Sequence, residues 1–583
     1  MGEHVDLIIR NGTVVDGTGS EPFVADVAIK DGHITAVGKI TAIAAEEIDA
    51  TGLLVTPGFV DVHTHYDGHV TWESRIQPSS DHGVTTIVTG NCGVGFAPCR
   101  KEDRDDLVAL MAGVEDIPEV VMAEGLPWNW ESFPEYLNAV AERPHDVNVA
   151  VMVPHSALRV FVMGQRAMAR ESASAADIEQ MQQLVEEAIG AGAIGFATSR
   201  AIQQKSIRGE PIPTVRAAEE ELLGILSGMQ KAGSGVFQAL SDFELFQDVE
   251  GEFAMFRRLV AATGRPMSFT LNQKHSDPDG WRKLLNLTEQ ASDAGLPIRA
   301  QVLGRPSGLL LGHDLTMSPF SGCPTYAALA DKPFADRIAE LRKADVRARI
   351  LDEAKSGGNT GSFGHKFNYQ YVYELSDPPN YEPETEQSLA AKAQRFGTTP
   401  EELAYDILMT DAGRRILLET SQNYASGSLE PSLEMMQHKD TILGLGDGGA
   451  HCGLVCDASY PTTMLSYWTR DRVRGTRLDL PTAVKALAAD TAAAMGLHDR
   501  GVVAPGYKAD LNVIDYNRLR LRMPEVVRDL PSGGRRIVQR AVGYVATVVN
   551  GVITYRNGQA TGALPGQLVR GAQTAPVAEG VAA

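Results

Sequence analysis

The sequence is short of cysteine, of basic residues and of long apolar runs, and each shortage excludes a class of protein. Cysteine occupies five of 583 positions, scattered and odd in number, which excludes a disulfide framework and favours a reducing compartment. Lysine and arginine number 53 against 74 aspartate and glutamate residues, so the net charge is −21. Nucleic acid and anionic membranes are therefore unsuitable partners, although a local basic pocket remains compatible with a small anionic substrate.

No apolar run approaches the roughly 18 residues that a membrane-spanning helix needs. Acidic Glu3 and Asp6 also stand where a signal peptide would carry basic residues. We therefore expect a cytoplasmic protein without membrane or nucleic-acid partners, and the sequence is compatible with a homo-oligomer. The hydrophobic share of 43% is sufficient for the large buried core of a globular enzyme.

Both ends of the chain contain short apolar segments separated by turn signals. Asp31-Gly32 near the start and Asn550-Gly551 near the end are two examples. Such pairs tolerate positive φ and are typical of β-hairpins. We expect residues 1–57 and 498–565 to form one discontinuous β-sandwich domain, followed by a tail over residues 566–583.

The chain between these ends alternates apolar segments with amphipathic helical patterns, as in a parallel sheet covered on its outer face. The predicted fold class is therefore α/β, a TIM-type (β/α)8 barrel over residues 58–497 with the small β-sandwich domain beside it. A long insertion at about 304–440 is expected to cross the barrel mouth. Eight strands are predicted: Gly58–His65, Thr85–Gly90, Asn148–Pro154, Ala193–Thr198, Gly235–Leu240, Met267–Asn272, Ile298–Leu303 and Thr441–Gly446.

Polar residues at the carboxyl ends of these strands are the candidates for chemistry, because barrel active sites form there. His63 and His65 end the first strand, and residues two apart in a strand face the same side, so both imidazoles can bind one metal ion. Cys92 follows the second strand and Asp447 the eighth, where a thiolate and a carboxylate can approach a metal. Each motif alone also fits an ordinary polar or small buried side chain.

The segment Thr56–His65, Thr-Pro-Gly-Phe-Val-Asp-Val-His-Thr-His, resembles the opening signature of the amidohydrolase superfamily. Four further segments resemble its N-acyl-D-amino-acid deacylase (D-aminoacylase) branch: Thr89–Gly93, Pro154–Arg159, Ala193–Ser199 and Gly506–Leu511. The likeness extends over nearly the whole chain. It implies the barrel with its β-sandwich, and a hydrolase of carbon–nitrogen bonds other than peptide bonds.

The resemblance also implies a metal site and a reaction. His63, His65 and Asp447 would surround one or two divalent ions, usually zinc, with Cys92 in a bridging position. Asp447 would be the general base that activates water and then protonates the leaving nitrogen. The implied reaction is metal-dependent hydrolysis of a linear amide, foremost deacylation of an N-acyl (D-)amino acid. Cleavage of a cyclic amide, carbamate or other C–N bond, and an inactive barrel with an assembly role, stay open as alternatives.

Two positions depart from the deacylase pattern. Gln238 and Asn272 stand where the fifth and sixth strands of the deacylases normally end in zinc-binding histidines. Amides are poorer zinc ligands than imidazole, so the metal's identity and number stay open, and we expect both amides to bind substrate or water. Lys274 matches a lysine that contacts the substrate carboxylate in the deacylases. Arg305, just beyond the seventh strand, is a second expected partner for a substrate acid.

Overall fold

A parallel sheet of eight strands forms the centre of the protein, and it confirms the predicted barrel. The computed structural model describes residues 4–243, 248–358, 360–361 and 365–577. The barrel strands pair with their neighbours in chain order: Phe59–Asp61, Val84–Thr89, Asn148–Pro154, Gly195–Arg200, Val236–Ser241, Met267–Thr270, Ile298–Val302 and Thr441–Leu443.

The barrel strands are apolar because both of their faces are covered. All residues of the second strand, Val84–Thr89, and of the third, Asn148–Pro154, are buried. The first strand ends at Asp61, before the predicted end at His65. Beyond that point the chain turns toward the eighth strand, and a parallel bridge between Thr64 and Gly448 nearly closes the barrel beside the predicted metal ligands.

Amphipathic helices pack around the outside of the barrel. The helix Ala175–Ala191 begins with a capping box, in which Ser174 Oγ accepts a hydrogen bond from the Asp177 N–H. It ends at Gly192, which has φ +119°. The helices between the barrel strands are His69–Trp72, Arg104–Val114, Glu119–Gly125, Phe133–Glu142, His155–Met163, Gln165–Met168, Ala175–Ala191, Glu219–Ala232, Val249–Thr263 and Gly280–Asp293.

The chain between the seventh and eighth strands forms a separate layer with its own core. Its antiparallel sheet places Leu417–Gln422 between Ser307–Leu311 and Val372–Glu374. Ser307 and Gln422 line the same pocket as residues of the barrel mouth, so this layer covers the mouth. Its helices are Pro324–Ala327, Phe334–Leu341, Ala344–Glu353, Leu389–Phe396, Pro400–Leu408 and Glu430–Met436.

Both ends of the chain contribute to one nine-stranded sheet, as predicted for the second domain. Leu511–Ile514 pairs antiparallel with Leu54–Pro57 and so joins the two ends. The remaining strands of this sheet are His4–Val14, Phe23–Lys30, His33–Gly38, Ile43–Asp49, Tyr544–Val549, Val552–Arg556 and Gln559–Ala560.

The last part of the described chain completes the covering of the barrel. Gly566 bridges His145 and Leu568 bridges Val149, so this stretch of the expected tail lies against the third barrel strand and the residues before it. None of the described helices is long and apolar enough to cross a membrane. Further helices are Tyr460–Thr463, Met464–Asp471, Leu480–Leu487 and Ala489–Ala494, and two small antiparallel strand pairs are Arg520–Leu521 with Ala541–Val542 and Glu525–Leu530 with Gly534–Val538.

Candidate metal centre

Three side chains from the ends of the first two barrel strands converge in the barrel mouth. One ligand atom each of His63, His65 and Cys92 lies within 4.8 Å of the others, and all three residues are buried. Cys92 Sγ is 3.3 Å from His63 Nε2. Asp447, after the eighth strand, adds a fourth donor, because its Oδ1 is 3.5 Å from His63 Nε2 and 3.7 Å from His65 Nε2.

The distances from His63 Nε2 to Cys92 Sγ and from both imidazoles to Asp447 Oδ1 fit donors around a shared ion. Bond lengths of about 2.0–2.3 Å to nitrogen, oxygen and sulfur place neighbouring donors of a tetrahedral zinc site about 3.3–3.8 Å apart. The donor set of two imidazoles, one thiolate and one carboxylate suits zinc, while other divalent transition metals share these ligands.

Unusual backbone conformations bring Cys92 and Asp447 into this cluster. Cys92 has φ +53° and Asp447 has φ +47°, both in the left-handed region. Gly90 precedes the cysteine turn, and a Cβ there would lie 2.2 Å from the backbone oxygen of Met152. The glycine-rich turn thus lets the second strand end close against the third and aim the thiol inward.

The four side chains shift one another's pKa values toward their charged forms. Burial opposes charge on His63, but the Cys92 thiolate and the Asp447 carboxylate outweigh it and raise the pKa of His63 to about 9. Burial likewise opposes ionisation of Cys92 and Asp447, yet the two imidazoles hold the pKa of each below its ordinary value. The cluster is therefore an environment that favours thiolate and carboxylate, the forms that bind metal.

Two further residues orient the histidines, and the sequence analysis missed both. His63 Nδ1–H donates to Gln301 Oε1 over 2.6 Å, which leaves Nε2 to face the cluster. Glu115 Oε1 is 3.5 Å from His65 Nδ1, and Glu115 Oε2 is 3.7 Å from His451 Nε2. The only sequence signal for Gln301 is a polar residue inside an apolar strand, and Glu115 simply follows a helix.

The amides expected to bind substrate or water have their oxygen atoms engaged by the protein. Gln238 is fully buried, and its Oε1 accepts from the Cys92 N–H at 2.9 Å. Asn272 lines the pocket, and its Oδ1 accepts from Asn423 Nδ2 at 3.0 Å. Each oxygen keeps a second lone pair, but amides are weaker zinc ligands than imidazole, so neither residue favours a second ion.

The two expected substrate cations lie outside the walls of the pocket. Arg305 is fully buried, and its guanidinium is 2.9 Å from Asp457 and stacks 3.7 Å from the Tyr381 ring centroid. The structure thus places the Arg305 side chain on Asp457 and not on the pocket, because position after a strand does not fix side-chain direction. Lys274 is half-buried, and its backbone bridges Gln422 of the covering layer.

A pocket of about 150 Å³ opens beside the cluster. It is formed by the barrel mouth, the loop after the eighth strand and the covering sheet. The lining residues are His63, His65, Cys92, Glu115, Gln204, Leu240, Thr270, Asn272, Leu303, Ser307, Gln422, Leu445, Asp447 and His451. The candidate ligands therefore face a cavity that is large enough for a small organic group.

Comparisons with known proteins agree with this architecture. The model of the Amidohydrolase family matches residues 46–555. An uncharacterized protein of Mycobacterium tuberculosis is 28% identical, over 95% of this chain and 92% of that protein. The N-acyl-D-glutamate deacylase of Alcaligenes xylosoxydans xylosoxydans is 27% identical over 88% of each chain.

A solved structure of D-aminoacylase, described as having a binuclear metal centre, superposes with a TM-score of 0.63. It is 23% identical in sequence, covering 97% of this chain and 100% of the other. The fold is thus that of D-aminoacylase. With the family match over most of its length, the chain belongs to the amidohydrolase family, hydrolases of carbon–nitrogen bonds other than peptide bonds.

Proposed function

We propose that this amidohydrolase deacylates linear N-acylated amines of the amino-acid type, foremost N-acyl (D-)amino acids or their derivatives. The observation that supports the proposal is the convergence of His63, His65 and Cys92, with Asp447 beside both imidazoles, on a pocket at the barrel mouth. The likeness to N-acyl-D-glutamate deacylase over 88% of each chain supports a linear amide as the substrate.

His63, His65, Cys92 and Asp447 are the residues that we propose hold the metal. A divalent ion bound there would lower the pKa of a water molecule and polarise the scissile carbonyl group. We propose one ion in place of two, because the oxygen atoms of Gln238 and Asn272 already accept hydrogen bonds from the protein. Zinc is the metal that this donor set favours.

Asp447 is the residue that we propose moves the proton. Its side chain lines the pocket and touches both imidazoles, so one carboxylate oxygen faces the place where water and the amide would meet. In the reaction the C–N bond breaks and a C–O bond forms. Asp447 accepts the proton of the attacking water and returns it to the departing nitrogen, which yields a carboxylic acid and a free amine.

The Asp447→Asn variant tests this assignment. We expect turnover of an N-acyl amine to fall by about 100- to 10,000-fold, the usual contribution of a positioned general base. Elemental analysis should show that the variant retains metal, because His63, His65 and Cys92 remain. A variant with near-normal turnover would remove Asp447 from the role of base.

A substrate panel separates the linear from the cyclic alternative. N-acetyl amino acids of both enantiomers, their carboxamides, cyclic amides and carbamates would be compared by release of acid or amine. We expect cleavage of linear amides to dominate. Cleavage of the cyclic compounds alone would show that the site hydrolyses cyclic and not linear substrates. Metal-loaded protein without any activity would favour an inactive barrel.

A further inference from the structure

The walls of the pocket carry neutral polar groups and acids. Among the described residues no lysine or arginine lines it. The internal residues that the structure does not describe are 244–247, 359 and 362–364, and none of them is a lysine or an arginine. Apart from the candidate ligands, the polar lining consists of the carboxamides of Gln204, Asn272 and Gln422, the hydroxyls of Thr270 and Ser307, His451 and the carboxylate of Glu115.

Two of these wall groups are hydrogen-bonding atoms that the protein leaves unsatisfied. Gln204 Oε1 and Thr270 Oγ1 are both buried and have no partner within the described part of the chain. A buried carbonyl oxygen without a donor costs free energy, so it is a natural place for a ligand N–H or O–H. A carboxylate cannot serve there, because it only accepts hydrogen bonds.

The carboxylate of Glu115 makes the same wall unfavourable for an anion. Glu115 is only 1% exposed, and its two oxygens face His65 and His451 at 3.5 and 3.7 Å. A substrate carboxylate placed against Glu115 would lose its water and meet a like charge, and both effects weaken its binding at that wall.

Arg305, the buried cation that follows the seventh strand, is paired with groups outside the pocket. Arg305 contacts Asp457 and donates to Ser459 Oγ at 2.7 Å, away from the pocket lining. The described lining of the pocket thus has one unsatisfied carbonyl oxygen and one unsatisfied hydroxyl, and no arginine fork of the kind that binds carboxylates in two-point contact.

We infer that the amine side of the substrate carries an uncharged hydrogen-bond donor, such as a carboxamide or hydroxyl group, in place of a free carboxylate. This inference rests on the proposed deacylation and narrows its substrates from free N-acyl amino acids to their uncharged derivatives. The donor would contact Gln204 Oε1, while the scissile carbonyl faces the metal ligands.

A matched pair of substrates tests the inference. N-acetylleucine and N-acetylleucinamide, each in both enantiomers, differ only in carboxylate against carboxamide, and release of acetate reports cleavage of the acyl bond in each. We expect kcat/KM for the carboxamide to be at least about tenfold higher, because a site that hydrogen-bonds an N–H discriminates against its absence. Equal values, or a preference for the acid, would overturn the inference while leaving deacylation intact. Release of acetate from neither would overturn both.

Variants of Gln204 show whether the wall sets this preference. Gln204→Met keeps the length of the side chain but removes the acceptor, and Gln204→Lys replaces it with a cation. We expect the carboxamide-to-acid ratio of kcat/KM to fall about tenfold in Gln204→Met and to fall further in Gln204→Lys. Because the ratio is taken within one variant, partial loss of folded protein does not change it. An unchanged ratio in both variants, or a loss in Lys274→Met that is selective for the acid, would contradict the inference.

Discussion

Cys92 is a buried cysteine whose surroundings suit the metal-ligand role that we propose for it. Its N–H donates to Gln238 Oε1 at 2.9 Å, which fixes the left-handed turn and directs Sγ to within 3.3 Å of His63 Nε2. Burial raises the pKa of Cys99 to about 12, whereas the two imidazoles lower the pKa of Cys92. The neighbouring charges therefore favour a thiolate at Cys92, whereas burial favours the neutral thiol at Cys99.

Cys92→Ser should weaken metal binding while Cys99→Ser should not. We expect the metal affinity of Cys92→Ser to fall on the order of 100-fold or more, beyond the roughly 10- to 100-fold cost of changing an outer-shell residue. Competition with a chelator measures this affinity, and cobalt-substituted protein should lose its thiolate charge-transfer absorption only in Cys92→Ser. Equal affinities in the two variants would exclude Cys92 as a ligand.

At the scale of elements, the loop after the eighth strand depends on glycine. Gly449 has φ +90°, and a Cβ there would lie 2.8 Å from the backbone oxygen of His65. Gly233 ends the helix Glu219–Ala232 with φ +79°, and its Cβ position is open. The two positions share the left-handed conformation and differ only in close packing, so they form a matched pair.

Gly449→Ala should reduce activity far more than Gly233→Ala. Both substitutions cost about 1–2 kcal/mol of stability for the left-handed conformation. Only Gly449→Ala must also move the loop that carries Asp447, and a displacement of about 1 Å in an active site can lower turnover about 100-fold. Thermal unfolding and kcat/KM measured on both variants check this, and equal activities would show that the loop tolerates the shift.

The barrel strands could be predicted from the sequence because apolar runs bounded by glycine and proline are typical of buried strands. The contacts of single polar side chains could not be predicted in this way. The sequence around Gln301 is that of a core strand, and only the structure shows its hydrogen bond with the His63 ring. Arg305 stands at a strand end, but its side chain contacts Asp457. The roles of Asp447 and Lys274 stay predictions. The covering sheet also escaped prediction, since its middle strand, Leu417–Gln422, pairs with strands that lie more than 40 and more than 100 residues earlier in the chain.

At the scale of the whole molecule, buried polar contacts join the barrel to the sheet of the chain ends. His82 lies in this junction, where Nε2–H donates to the backbone oxygen of Gln539 at 2.7 Å and Nδ1 accepts from Thr462 at 2.8 Å. Tyr544 Oη donates to the backbone oxygen of His82 at 2.8 Å. Burial, with a smaller contribution from Arg305, lowers the pKa of His82 to about 4.

The stability of the protein should therefore fall in mild acid through His82. An imidazole whose pKa is lower in the folded protein than its ordinary value near 6.5 binds fewer protons than the unfolded chain. The contribution of the neutral His82 imidazole to the free energy of unfolding is complete above pH 6.5 and decreases as the pH falls toward 4. At pH 5 it is smaller by about 2 kcal/mol. Urea unfolding at pH 8 and pH 5 should show a smaller loss for His82→Gln, which keeps a donor to Gln539 but does not titrate. Identical losses would exclude His82 as a source of acid sensitivity.

We propose that one metal ion is held by side chains that follow the first, second and eighth barrel strands. Anomalous X-ray diffraction from crystals of the purified, zinc-loaded protein tests it most directly. We predict one anomalous peak per chain, within bonding distance of His63, His65, Cys92 and Asp447. A barrel mouth without a peak, or a second peak of equal height beside Gln238 and Asn272, would contradict the account.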